Sequence, residues 1–224
     1  MSTTFMSNKS KYQNFYVTIV MLIAVLGGYA VSNYFFNTKN KNDHNKQSVF
    51  ISLKLYPEPK AFTGFTLTDK DNNKIDEKYF SDKWTLLFFG YTNCPDVCPM
   101  TLSELKKTFH ALKQANKIKQ MPEVLFISVD SERDTPAHLK EYIAFFNPKF
   151  NAATADDANI LALATQIGAA YHIEKHEPDN KNYAVDHTAA IFLISPKKKL
   201  YAIFRSPHIA KNMAADLTQL IGKK

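Results

Sequence analysis

The chain has 224 residues, 45% of them hydrophobic and 22% charged, a composition that buries a core and excludes a disordered polypeptide. Its length suits one ordinary domain with an appendage. The formal net charge is +7, but five lysines against one aspartate fall within the first 49 residues and the remaining excess is spread thinly, which argues against a nucleic-acid-binding surface.

Taken in chain order, residues 1–14 form a short leader without acidic residues. Phe15–Phe36, FYVTIVMLIAVLGGYAVSNYFF, then runs 22 positions without a charge. A helix needs roughly 20 apolar residues to span a bilayer, so a transmembrane anchor is predicted here. The alternative is a signal peptide cut after Ala30, where Gly28 and Ala30 supply small residues. The apolar run continues to Phe36, which favours a retained anchor. Lys9 and Lys11 precede it and Lys39, Lys41 and Lys46 follow, so lysine counts do not orient it. The chain's arginines are Arg133 and Arg205, far downstream, which excludes a transit peptide and makes a bacterial inner-membrane protein the simpler expectation. Residues 37–49 are almost wholly polar and are predicted to be a flexible linker, leaving 50–224 as the folded domain.

Within that domain, two short extended runs flank Asp71-Asn72-Asn73, a turn signal that predicts an N-terminal β-hairpin. The apolar run Trp84–Thr92 suits a strand buried on both faces. After Pro99 a helix is predicted with Leu102, Leu105, Phe109 and Leu112 on one stripe. Val124–Asp130 is a second buried strand. Thr135 and Pro136 cap and open a helix carrying Leu139, Tyr142, Ile143 and Phe146. Ile160, Leu161, Ala164 and Ile167 mark another helix, ended near Gly168. Two apolar runs on either side of Pro196 and Lys197–Lys199 predict an antiparallel pair with a solvated lysine turn. The last helix is predicted to turn Ile209, Met213, Leu217, Leu220 and Ile221 inward. This α/β order, β–α–β–α–α–β–β–α, is that of a thioredoxin-like mixed sheet flanked by helices.

Both cysteines of the chain, Cys94 and Cys98, lie in FFGYTNCPDVCPMTL, where the first central strand passes into a helix. Helix N-terminal amides stabilise anions, so a lowered pKa is expected at Cys98 at least. Thiolates there serve disulfide exchange, a soft metal, or both. Three intervening residues, one more than in a thioredoxin redox motif, let both sulfurs face a shared third atom while still permitting closure. A purely structural disulfide closing so short a loop removes little chain entropy. Structural zinc wants four ligands, and no second cysteine pair exists. Two thiolates with one imidazole suit copper. Of the seven histidines, His44 lies in the linker, His110 and His138 read as surface residues, His172 and His176 sit in a polar stretch, and His208 opens the last helix. His187 stands directly before a core strand, in the loop that a thioredoxin-like fold sets beside the thiols. Its neighbour Asp186 is a candidate to orient the ring.

Three segments, GYTNCPDVCP (90–99), SVDSERDTP (128–136) and VDHTAAIFLISP (185–196), resemble the signature segments of the Sco/SenC family. The likeness runs from about Phe62 to Ile221 with the motifs in the family's order. It implies a membrane-anchored, thioredoxin-like copper protein with ligands Cys94, Cys98 and His187, an extracytoplasmic domain on the periplasmic side, and a copper-accepting subunit of cytochrome c oxidase as partner. Two peripheral loops depart from the pattern: Phe150–Ile160 lacks a glycine turn, and Lys197–Lys199 replaces a more usual Asp-Gly turn.

The alternative function is a thiol–disulfide oxidoreductase or redox sensor built on the Cys94/Cys98 pair, served by a thiol reductant protein. Exchange enzymes place a cis-proline before the strand facing the thiols; VDHT offers a histidine there instead, which favours copper. A peroxidatic enzyme would need one activated cysteine beside a cation such as Arg133 or Arg205. In SVDSERDTP, Asp134-Thr135-Pro136 reads as helix capping and Arg133 as a partner for Asp130 or Glu132, with Asp130 and Asp134 as candidates to shape the site. Met100 is expected to pack against the sheet rather than act as a thioether ligand.

Overall fold

The computed structural model describes residues 8–41 and 50–222, so the start of the predicted leader and residues 42–49 of the predicted linker lie outside the described residues. The chain divides into two units, Met1–Val49 and Phe50–Lys224. In the first, one helix, α1 (Asn8–Lys41), carries the stretch Phe15–Tyr34, long and apolar enough to cross a membrane. Its large side chains, among them Phe15, Val20, Leu22, Ile23 and Leu26, are exposed around the helix rather than packed on a core. The helix continues beyond the predicted 15–36 span at both ends.

The second unit runs β1 (Leu53–Ala61), β2 (Leu67–Asp69), β3 (Lys74–Ile75), a 3-10 turn (Glu77–Phe80), β4 (Thr85–Gly90), α2 (Val97–Ala115), β5 (Glu123–Ser128), α3 (Pro136–Phe146), β6 (Asn151–Thr154), α4 (Asp157–Ile167), β7 (Tyr171–Ile173), β8 (Val185–His187), β9 (Ile191–Ile194), β10 (Lys199–Phe204) and α5 (Ala210–Ile221). Eight strands form one mixed sheet in the order β1-β10-β9-β4-β5-β6-β2-β3, and β7 pairs with β8 apart from it. Helices flank this sheet, giving a thioredoxin-like fold, and β2–β3 is the predicted hairpin. At its turn Asn72 takes φ 64°, a left-handed conformation that asparagine tolerates, while the Asp69 carboxylate accepts the amides of Asp71 and Asn73 at 2.9 and 2.8 Å.

All six residues of β4 are buried, because β5 pairs with it in parallel on one side, β9 antiparallel on the other, and both faces are covered. The register pairs Gly90 with Ser128 and Phe88 with Ile191. The loops leaving β4 and β5 and the loop entering β9 therefore meet at one edge of the sheet. Thr135 caps α3 by accepting the His138 amide, and Gly168 ends α4 at φ 78°. The lysine turn is as predicted, with Lys198 at φ 58° and the Lys198 amide donating to the Ser195 carbonyl at 2.9 Å.

Two sheet strands were not legible. β1 contains Pro57 and Pro59, which read against a strand; it forms because it is an edge strand whose register shifts between Leu55 and Lys60. Its entry is fastened by buried Asp216 of α5, whose carboxylate accepts the amides of Ile51, Ser52 and Leu53 at 2.7, 2.7 and 2.9 Å. β6, NAAT, has no β-branched run and is held as a strand by parallel pairing with β5. Ile209, expected inward, is 49% exposed, and Leu161, one of the residues marking α4, is 53% exposed, while Leu163, Met213 and Leu217 fill the core.

Candidate metal centre

The strand-to-helix passage sets the two thiols at different depths. α2 begins at Val97, two residues before Pro99, so Cys98 lies inside its first turn and is fully buried, whereas Cys94 in the preceding loop is half-buried. Burial of Cys98 depends on Gly90: a Cβ built there would lie 2.6 Å from Cys98 Sγ and 2.7 Å from Phe126 Cε2. The Asp96 side chain makes no capping bond to α2, and the Cys98 amide instead points at Cys94 Sγ, 3.4 Å away.

His187 comes from a third direction, at the end of β8. Its Nε2 is 3.2 Å from Cys98 Sγ. The three donor atoms of Cys94, Cys98 and His187 all lie within 4.8 Å of one another, the one such cluster among the described residues. Nδ1 faces the Thr188 carbonyl at 3.4 Å. That contact assigns the proton to Nδ1 and leaves the Nε2 lone pair for the sulfur side. Asp186, the candidate orienting group, is exposed and makes no hydrogen bond to the ring; the Thr188 carbonyl takes that role. Phe88 and Tyr91 clamp the imidazole edge-on, with ring centroids at 5.8 and 6.0 Å.

Electrostatics at the site correct one expectation. Burial pushes the Cys98 thiol well above the ordinary range, the charge of Cys94 adds to this, and a backbone hydrogen bond at Tyr91 only partly opposes it. Desolvation thus outweighs the helix N-terminus at this sulfur. Burial also lowers the His187 pKa, against the Thr188 carbonyl and the Asp186 charge, so the imidazole stays neutral.

Around the cluster the structure reveals two supports. Fully buried Asp134 does not cap α3. One oxygen accepts the Thr92 hydroxyl at 2.5 Å; the other accepts the Thr92 amide at 2.9 Å and the Ser128 hydroxyl at 2.5 Å. It thereby ties the loop two residues before Cys94 to the end of β5. Arg133 pairs with buried Asp130, as one of its two expected options, and donates to the carbonyls of Lys181 and Tyr183 at 2.9 and 3.2 Å. The Tyr183 hydroxyl closes the triangle on Asp130 at 2.7 Å. This clamps the segment leading into β8. The motif SVDSERDTP held the signal for both supports, but which aspartate faces which loop is a tertiary fact. Met100 is 55% exposed rather than packed on the sheet. His110, His138 and His172 are exposed, and His208 is half-buried, bonded to the Ala189 carbonyl at 2.8 Å.

A donor set of two sulfurs and one neutral imidazole nitrogen suits a soft first-row ion. Bonds of about 2.3 Å to sulfur and about 2.0 Å to nitrogen separate donors by roughly 3.5–4 Å, a spacing the cluster accommodates with small adjustments. A cleft of about 880 Å³, lined by residues such as Glu132, Asp157, His172 and Tyr183, contains none of the three donors.

A mixed sheet of this topology, with a cysteine pair where the first central strand enters a helix, is a thioredoxin-like domain, here one whose thiols face a histidine. The chain belongs to the SCO1/SenC family, whose model matches residues 56–222. It is 32% identical over 179 residues to the mitochondrial SCO1 homolog 1 of Arabidopsis thaliana, covering 78% of this chain and 52% of that protein. It is 35% identical over 130 residues to an SCO2-like protein of Rickettsia prowazekii, covering 58% of this chain and 62% of that protein. The chain therefore matches about half to three fifths of these curated relatives' lengths. Among solved structures it resembles copper-bound ScoI of Arabidopsis thaliana at 31% identity and TM-score 0.64, covering 71% of this chain and 97% of that one. Copper-bound ScoI of Bradyrhizobium japonicum matches at 35% identity and TM-score 0.61, covering 71% and 99%.

Proposed function

We propose that this chain is a membrane-anchored copper carrier in which Cys94, Cys98 and His187 take one copper ion as cargo and pass it to an acceptor by ligand exchange. The observation that carries this function is the 3.2 Å approach of His187 Nε2 to the buried Cys98 sulfur, with Cys94 completing the cluster. The copper-bound relatives support it. Loading releases the thiol protons, so copper uptake acidifies the medium. His187 is already neutral through burial and needs no deprotonation. Half-buried Cys94 is the sulfur an incoming acceptor ligand reaches first. The family implies the copper-accepting subunit of cytochrome c oxidase as that acceptor. The span Phe15–Tyr34 supports a single-pass anchor, and a bacterial inner membrane with the domain in the periplasm fits the copper role.

The difference in depth between the thiols also favours a second activity on the same pair. Cys94, beside the α2 amide, attacks an acceptor disulfide; Cys98 then attacks the mixed disulfide, releasing the acceptor dithiol and leaving Cys94–Cys98 oxidised. A thiol reductant protein must restore the pair by two electrons before copper binds again.

The test titrates the full chain in detergent, reduced and anaerobic, with Cu(I) against a competing chelator. One tight equivalent is expected, abolished in Cys94→Ser/Cys98→Ser and weakened more than about 100-fold in His187→Ala with its fold intact. Undiminished binding by His187→Ala would sink the three-ligand site. No binding by the reduced wild type would leave disulfide exchange as the function.

A further inference from the structure

The ribbon that carries His187 stands apart from the main sheet. β7 and β8 pair with each other, with Tyr171 opposite His187 and Ile173 opposite Val185. Glu174 continues this ladder: its amide donates to the Ala184 carbonyl at 3.0 Å and its carboxylate accepts the Ala184 amide at 3.1 Å. No strand of the main sheet fixes the ribbon, so the position of His187 depends on side chains that tie it to the body of the domain. At one end the Tyr171 hydroxyl donates to Asp157 of α4 at 2.5 Å. At the other the ties converge on the loop after β5, where Asp130 holds the Tyr183 hydroxyl, Arg133 holds the Lys181 and Tyr183 carbonyls, and Glu132 faces His176.

His176 differs from the other ties because a proton decides it. Its Nδ1 lies 2.8 Å from the Glu174 carbonyl and its Nε2 3.1 Å from the Glu132 carboxylate. Both ring nitrogens therefore face acceptors, and only the imidazolium can donate to both; either neutral tautomer sets a lone pair against an oxygen. The ring stacks on Tyr183 with centroids 3.6 Å apart, and the Arg133 guanidinium lies 3.6 Å from the same centroid, distances that two groups reach only from opposite faces. Tyr183 is thus held between two cations, with its hydroxyl on Asp130, four residues before His187. Asp157, His172 and Lys175 line the same cleft. We infer that His176 is a positioning residue: its doubly protonated ring ties the ribbon to Glu132 and so steadies His187 at the thiols, and loss of one ring proton loosens that tie. The effect on metal rests on the copper function proposed above. The Glu174 carbonyl and then Glu132 raise the ring's pKa, against desolvation and the Arg133 charge. With the folded value raised, the tie is complete below about pH 6.5 and is lost as pH rises through that raised value.

The test uses the reduced, metal-free full chain in detergent, as wild type, His176→Gln, Glu132→Gln and His172→Gln, at about pH 6 and about pH 8. Amide exchange of residues 171–188, corrected for its intrinsic pH dependence, reads the ribbon. Wild type is expected to lose about threefold of its ribbon protection at the higher pH. His176→Gln is expected to start less protected and to show little further loss. Glu132→Gln offers the neutral ring an amide donor, so there the tie is expected to hold at both pH values. His172→Gln, an exposed histidine of the same ribbon, is expected to keep the wild-type response. Cu(I) competition then gives the affinity ratio of wild type to His176→Gln, in which the protons released by the thiols cancel. A ratio of about threefold is expected at the lower pH, falling toward one at the higher. Wild-type protection independent of pH, or a pH dependence retained in His176→Gln, overturns the inference. A ribbon response with an affinity ratio of one at both pH values also overturns it, because the ribbon would then loosen without disturbing His187. Failure of the reduced wild type to bind copper overturns copper carriage by itself, since the ribbon response is read without metal.

Discussion

Gly90→Ala probes the packing against the Cys98 sulfur. The added methyl carbon would sit 2.6 Å from Cys98 Sγ and 2.7 and 3.2 Å from two ring carbons of Phe126. Ordinary contact needs about 3.5–4.0 Å, so the sulfur or the ring must retreat by about 1 Å. Neither has room, since both residues are fully buried between β4, β5 and α2. Overpacking of this kind costs about 1–3 kcal/mol, offset by about 0.4–1 kcal/mol from the stiffer unfolded chain. The net loss of about 1–2 kcal/mol lowers the melting temperature of a domain this size by roughly 2–8 °C. The larger effect falls on the site, because a sulfur displaced by about 1 Å exceeds the roughly 0.5 Å tolerance of a ligand constellation. Cu(I) affinity is expected to drop at least about tenfold. Gly64→Ala is the control: Gly64 adopts φ +74° with nothing near its Cβ position, so alanine there strains the backbone without touching a thiol. Circular dichroism melts and chelator competition on the reduced full chain measure both quantities. A Gly90→Ala protein with wild-type melting temperature and wild-type affinity would refute the packing account of the site.

Arg133→Met leaves the buried Asp130 carboxylate without its cation and is expected to cost about 3–5 kcal/mol, read from the urea midpoint. Arg133→Met/Asp130→Asn should recover part of that loss, and no recovery would mean the ion pair is not the source. Stability should also fall in mild acid through His208, whose pKa is lowered by burial against the Ala189 carbonyl and the Glu104 charge. The unfolded chain then binds a proton that the fold refuses, so this contribution is intact above about pH 6.5 and is lost below it, at no more than about 1.4 kcal/mol per pH unit. His176 works the other way: the Glu174 carbonyl and Glu132 raise its pKa, so its contribution is present below the unfolded value and fades as pH rises. His208→Gln should flatten the acid limb in denaturation curves, and an unchanged slope would remove His208 from the account.

Local pattern determined much of this protein. The uncharged run before Tyr34, the continuous apolar strands β4 and β5, the Thr135-Pro136 helix start and the Gly168 stop were legible because each depends on neighbours within a few residues. The cysteine pair was legible as chemistry for the same reason, and position before a core strand singled out His187 from seven histidines. What depended on distant partners was hidden. β1 is a strand despite two prolines only because β10 offers it an edge and Asp216 holds its entry, and β6 exists only because β5 lies beside it. Exposure of Leu161, Ile209 and Met100 follows from which helix face the sheet covers, a choice periodicity leaves open where apolar residues exceed the core face. The sign at Cys98 was decided the same way. A helix start alone lowers a thiol's pKa, but this sulfur is sealed by Gly90 and Phe126, and desolvation, a property of the whole surround, overrides the local dipole.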